Sequence, residues 1–299
     1  MDEDALAGSS VTLRLVSPHL SQGFPGTMAM AVTYTLADGA LEIGFSAVSD
    51  RTTICNPTSH IYWNLDGNSS RGSGGTIPGA TGAPDASDAP AITDALDHTL
   101  HVAADRYFPT DAGFLPLDVA PVDGTPFDFR QPRTPRAAMA AHPGDPQLAI
   151  GRGYNHAYDF AAAYAGLADG YRTSRRSPTA GLASGVAPSA GSAPSVDPSM
   201  EAGARPLIPM ATLTGGRSGI TMALSCDAPA LVVYSAGWFD AGSSLPGRGG
   251  RAYGPGAGIA LEPGFVPNAI NDDHHGTTPS PLLRAGDRFR MTIRYAFHA

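Results

Sequence analysis

Thr27-Met28-Ala29-Met30-Ala31-Val32-Thr33-Tyr34-Thr35-Leu36 is followed, across Asp38-Gly39, by a second alternating stretch carrying Leu41, Ile43, Phe45 and Ala47. In the first stretch Met28, Met30, Val32, Tyr34 and Leu36 fall on one side, and Thr27, Ala29, Ala31, Thr33 and Thr35 on the other. A period of two belongs to a β-strand, whose successive side chains point to opposite faces. Asp38-Gly39 supplies the turn between the two, because such turns demand a positive φ that glycine accepts. The stretch reads as a β-hairpin with one apolar face.

Outward from the hairpin the same pattern recurs. Val11, Leu13 and Leu15 alternate with Thr12 and Arg14, and Thr99 to Ala103 and Leu117 to Val122 read as short extended pieces. Beyond residue 206 the segments Thr221–Ser225, Leu231–Tyr234, Gly258–Leu261 and Phe289–Phe297 read as strands. A helical period does not persist over a dozen residues anywhere, although Thr134 to Ala141 fits one short helix. Many short strands with turn-rich joins predict an all-β sandwich or barrel. Asn68 to Ala91 reads as a Gly-, Ser- and Pro-rich loop. Gly166 to Pro206 reads as a low-complexity insertion with too little apolar surface to offset ordering. Because the β pattern resumes unchanged after it, residues 1–299 are expected to form a single β-sandwich domain carrying a flexible insertion at about 166–206.

The bulk numbers narrow the classes of function. With 42% hydrophobic and 15% charged residues the chain can bury a sizeable core, and 36 Gly and 27 Pro favour turns over long helices. A net charge of −8 argues against a nucleic-acid partner, which needs clustered Lys and Arg. No apolar run approaches the roughly 18 residues of a membrane span. Cys55 and Cys226, far apart and each in an apolar run, read as reduced core cysteines. That reading suits the cytoplasm, as does an acidic start, Met1-Asp2-Glu3-Asp4, unlike a signal peptide. His274-His275 beside Asp272-Asp273 reads as a solvated loop rather than a metal site, and His98 and His101 as surface groups.

Chemistry concentrates in Asn56-Pro57-Thr58-Ser59-His60-Ile61-Tyr62-Trp63-Asn64-Leu65-Asp66-Gly67, where a histidine sits among hydrogen-bonding groups and aromatics. Its ordinary pKa lets it exchange protons near neutrality. Tyr62, Trp63, Trp238 and Phe239 fit either a platform for a sugar face or the core.

This segment resembles the Asn-x-Thr-x-His-x-aromatic-x-Asn-Leu-x-Gly motif of the aldose 1-epimerase, or galactose mutarotase, family. Further matches keep the family's order: Gly23-Phe24-Pro25-Gly26, Gly124-Thr125-Pro126-Phe127-Asp128-Phe129-Arg130, Tyr154-Asn155-His156, Tyr234 to Asp240, and Leu261-Glu262-Pro263-Gly264. The resemblance implies a supersandwich of mainly antiparallel strands that interconverts the anomers of a free hexose such as galactose or glucose without a cofactor. It implies Glu262 as the base that takes the proton of the anomeric hydroxyl and His60 as the acid that protonates the ring oxygen. Asn155 and His156 fall where the family binds sugar, with Asn155 standing in place of an Asp. Trp63 is the aromatic expected to stack.

The implied partner is a free aldose, with no nucleic acid and no membrane, on either a monomer or a homodimer. Relative to the family the chain begins after the first strands, which carry an Asn-Arg and a His-Gly-Gly motif. Missing N-terminal strands, with unpaired edges and uncovered apolar surface, are therefore expected. The alternatives are a sugar-binding protein without turnover and a fragment of a split mutarotase.

Overall fold

The computed structural model describes residues 8–67, 94–174, 206–239, 253–271 and 279–299, with the backbone alone described over 168–174. The chain runs through β1 (Ser9–Ser17), β2 (Met28–Ala37), β3 (Ala40–Ser49), β4 (Thr53–Ile54) and β5 (Tyr62–Trp63). Next come β6 (Thr99–Val102), β7 (Arg106–Phe108), β8 (Ala120–Pro121), α1 (Pro135–Ala140) and α2 (Pro146–Gly151). Then follow β9 (Asn155–Asp159), α3 (Ala161–Ser174), β10 (Ile208–Thr214), β11 (Thr221–Cys226) and β12 (Ala230–Tyr234). The last strands are β13 (Ile259–Gly264), β14 (Leu282–Leu283) and β15 (Arg288–His298).

The strands form a seven-stranded sheet in the order β1-β2-β3-β15-β11-β10-β6 and a six-stranded sheet in the order β5-β13-β12-β9-β7-β8. A two-stranded ribbon pairs β14 with β4, and every strand pair is antiparallel. This is an all-β sandwich. The Asp38-Gly39 turn has φ of 49° and 68°, and the register it sets pairs Val32 with Phe45 and Tyr34 with Ile43. Apolar residues of the hairpin therefore share one face, as their spacing requires.

That face meets the second sheet. Ile43, Leu213, Leu224, Met291, Ile293 and Tyr295 of the first sheet share one buried cluster with Tyr107, Tyr158, Leu231, Val233, Ile259 and Leu261 of the second. Each such side chain removed from water stabilises the fold by about 1.5–3 kcal/mol. Both cysteines are buried and free, and burial pushes the Cys55 thiol up to about 12.

Three expectations need correction. The Ala-rich run from Ala161 forms a fourteen-residue helix, α3, so helix does persist over a dozen residues. Alanine has the highest helix propensity, Asp159 accepts the Ala161 N–H at 2.9 Å, and Tyr164 and Leu167 pack against the core. The stretch expected to be an insertion from Gly166 thus begins inside a helix, and its 175–205 portion lies outside the described residues. His98 is fully buried rather than on the surface. Finally, Leu117 to Val122 contributes only the two residues of β8. The His274-His275 pair lies outside the described residues.

Candidate active site

The site grows from β13. Ile259 and Leu261 point into the core, so Ala260 and Glu262 point to the other face of the six-stranded sheet. The register aligns Glu262 with Val232 and Ala157, and one step along the strands aligns Tyr62, Ala260, Tyr234 and Asn155. Residues directly opposite in neighbouring strands share a face, so Tyr62, Tyr234, Asn155 and Glu262 lie on one surface.

A clamp brings the histidine there. Asn56 donates through Nδ2 to the Phe265 carbonyl at 3.1 Å and accepts the Phe265 N–H through Oδ1 at 2.8 Å. Thr58 Oγ1 donates to the Pro263 carbonyl at 2.6 Å. Residues 56–60 are thereby laid along the end of β13, and His60 Nε2 comes to 3.3 Å from Glu262 Oε1. From the opposite sheet, Tyr295 donates its hydroxyl to the Leu261 carbonyl at 3.2 Å and fixes the strand from beneath.

The pair differs in exposure: the His60 side chain is 49% accessible and that of Glu262 only 13%. Burial raises the Glu262 pKa, and the neighbouring His60 charge opposes that rise. Aromatics wall the pair. The Tyr62 and Tyr234 rings lie 4.8 and 6.0 Å from the His60 ring, and Phe239 lies 4.8 Å from Tyr62. Burial, then Tyr234 and Glu262, push the Tyr62 hydroxyl up to about 12, so it remains a protonated donor. Tyr234 accepts the Trp238 N–H at 3.0 Å, and the Arg152 guanidinium sits 3.9 Å over the Trp238 ring.

The structure brings His60, Glu262 and Asn155 to one face and turns two other candidate residues away from it. His156 is buried on the core face, its Nε2 3.0 Å from Gln147 Oε1 and its ring 4.5 Å from Phe127. Burial holds its pKa down at about 4. Trp63 also faces the core, 4.9 Å from the Tyr295 ring and 5.5 Å from that of Phe297. In both cases the chain neighbour, Asn155 or Tyr62, occupies the Glu262 face. Of the aromatics that fit either a sugar platform or the core, Tyr62 lies on the Glu262 face; Tyr234 is a wall residue with no role in the sequence reading, and alternation from Val233 is the signal that locates it.

The rest of the motif holds structure. Asn64 donates to the Ala257 carbonyl at 3.1 Å, the Leu65 N–H donates to His98 Nε2 at 2.8 Å, and Asp66 accepts the Arg217 and Ser218 N–H groups at 2.9 and 2.8 Å.

Comparison with known proteins gives the family and the fold. Residues 3–176 match the model of the family described as aldose 1-epimerase. Aldose 1-epimerase of Escherichia coli K12 is 29% identical over 293 residues, covering 97% of this chain and 64% of that protein. Galactose mutarotase of Rattus norvegicus is 37% identical over 125 residues, covering 42% of this chain and 30% of that protein. The crystal structure of galactose 1-epimerase from Lactobacillus acidophilus NCFM has the same fold, with a TM-score of 0.64 and 22% identity, over 100% of this chain and 64% of that one. The chain spans just under two thirds of the length of the bacterial relatives it matches.

Proposed function

The chain belongs to the aldose 1-epimerase family, and from that premise we propose that it interconverts the α and β anomers of free hexoses, galactose or glucose, by acid/base ring opening. The observation that carries the proposal is the 3.3 Å approach of His60 Nε2 to Glu262 Oε1 on an aromatic-walled face. The two oxygens that exchange protons in mutarotation are bonded to the same carbon, so the groups serving them must be neighbours.

Glu262, as carboxylate, takes the proton of the anomeric hydroxyl. The electrons left on that oxygen form the carbonyl, the bond from C1 to the ring oxygen breaks, and His60, as imidazolium, protonates the departing oxygen. After rotation about C1–C2 the neutral imidazole takes that proton back, the ring closes on the other carbonyl face, and Glu262 returns its proton. Each group contributes about 10²–10⁴-fold.

Tyr62 and Tyr234 wall the sugar, and Asn155, whose side-chain amide has no hydrogen bond among the described residues, binds a hydroxyl for about 0.5–1.5 kcal/mol. His156 and Trp63 enter this reading as core-side supports of the strands that carry Asn155 and Tyr62, rather than as sugar contacts. Polarimetry tests the proposal. Freshly dissolved α-D-galactose should lose its excess rotation faster with the protein than with Glu262→Gln, and equal rates would refute it.

A further inference from the structure

We propose, on the acid/base reading above, that Tyr295 is a positioning residue for the His60–Glu262 pair: one buried hydroxyl, reaching across from the opposite sheet, holds the segments of both. Tyr295 lies on β15 of the seven-stranded sheet and is fully buried. Its place on the strand is fixed on both sides, opposite Leu41 of β3 and Leu224 of β11.

Backbone pairing leaves a gap at the pair. β5 meets β13 at Trp63–Ile259 and Tyr62–Ala260, and the ladder stops there. On the far side Thr58 holds the Pro263 carbonyl and Asn56 holds Phe265. Between these two fixed points stand Ser59, His60 and Ile61 on one segment, and Leu261 and Glu262 on the other. His60 and Glu262 turn their side chains to the site, so neither can fasten its own backbone.

The Tyr295 hydroxyl sits in that gap. A phenol both donates and accepts, so one oxygen can bond two partners at once. It donates to the Leu261 carbonyl at 3.2 Å and takes a hydrogen bond from the side chain of Ser59, itself 7% exposed. The ring lies 4.9 Å from that of Trp63. Each of these three adjoins a residue of the site: Leu261 precedes Glu262, Ser59 precedes His60, and Trp63 follows Tyr62. Tyr295 never touches the sugar in this arrangement. It sets the distance between the two groups that do.

Tyr295→Phe tests this by removing one oxygen and keeping the ring. kcat for anomer exchange should fall at least about tenfold with KM within about twofold of wild type, as for a displaced reacting group rather than lost sugar binding. Tyr158→Phe is the matched control: its hydroxyl, also fully buried, donates to the Phe127 carbonyl at 3.0 Å in the same core. It should lower the melting temperature as much as Tyr295→Phe and leave kcat near wild type. Ser59→Ala keeps the bond to Leu261, so its loss of kcat should be the smaller, and it should add nothing to Tyr295→Phe in the double variant. Should Tyr295→Phe fail to fold, Ser59→Ala alone decides. An unchanged kcat in Tyr295→Phe or in Ser59→Ala, or an equal loss in Tyr158→Phe, would overturn the positioning role while leaving the acid/base reading in place. Wild type no faster than Glu262→Gln would remove that reading, and this proposal with it.

Discussion

The side-chain amide of Asn56 holds both backbone groups of Phe265, donating to the carbonyl at 3.1 Å and accepting the N–H at 2.8 Å. This two-point clamp ties the segment bearing His60 to the strand bearing Glu262. Asn56→Ala removes both bonds, which should cost about 1 kcal/mol of stability. A misplacement near 1 Å at a catalytic group can cost about 10²-fold in rate, so kcat should fall by about 10–100-fold while the fold persists. Rates and melting temperatures of Asn56→Ala and Asn56→Asp check this. Asp keeps only the acceptor and should fall between wild type and Ala.

Burial raises the Glu262 pKa, so the folded state binds this proton more tightly than the unfolded state does. The carboxyl's contribution to stability is fully present below the ordinary carboxylate range and is lost as pH rises through its raised folded value. At neutral pH the buried charge destabilises the fold, and Glu262→Gln should melt higher than wild type. The two melting curves should converge in acid. A lower melting temperature for Glu262→Gln at neutral pH would show that attraction to His60 outweighs burial.

The same shift sets the acid limb of the rate profile. Glu262 acts as a base only when ionised, so kcat/KM should begin to fall at a pH above the ordinary glutamate value of about 4.3. A pH series on wild type measures the limb. An inflection at or below 4.3 would remove burial as the tuning force.

Two buried histidines make the fold acid-labile. His156 titrates at about 4 in the folded state against an ordinary 6.5, and burial likewise holds His98 below its ordinary value. Depressed histidines contribute stability that is present above 6.5 and lost as pH falls, because the unfolded chain takes up the protons first. The His156 contribution alone is on the order of 3 kcal/mol. Urea midpoints should therefore drop between about pH 7 and about pH 5, and His156→Gln should flatten that slope. A midpoint that holds steady in wild type over this window would contradict it.

Gly237 lets two loops close over each other beside the site. A Cβ there would stand 2.0 Å from the Arg152 carbonyl oxygen and 2.9 Å from its carbon, both backbone atoms. Gly237→Ala should destabilise by about 1–3 kcal/mol and separate Trp238 from the Arg152 guanidinium. Thermal melts register the first effect. A loss of tryptophan quenching, read in a Trp63→Phe background, registers the second.

How far the sequence is legible depends on periodicity. β2, β3 and β15 alternate over ten, ten and eleven residues, and one face of each is buried or packed on the core, so pattern and structure coincide. β9 shows no alternation because its middle residues are buried on both faces, and in β10 a register shift between Pro209 and Ala211 breaks the period of two. α3 was hidden by composition: alanine and glycine suggest a linker until Tyr164 and Leu167 are seen to dock. In the site, His60 and Glu262 were recognisable as residue types, but their meeting depends on the Asn56 clamp, a contact between segments 209 positions apart. His156 and Trp63 were recognisable too, yet the face each presents is fixed by strand register, which residue identity does not reveal. His98 was misread because an isolated imidazole beside Thr99 gives no sign that the Leu65 N–H will need an acceptor.

The most direct measurement is proton saturation transfer between the α and β anomeric signals of galactose at equilibrium. It reads interconversion itself, independent of binding. Wild type should transfer saturation between the two signals, and Glu262→Gln and His60→Ala should each reduce the exchange rate by about 10²-fold or more while remaining folded. Exchange in wild type no faster than in sugar alone, or equal in wild type and Glu262→Gln, would contradict the assignment of this carboxylate and imidazole to ring opening.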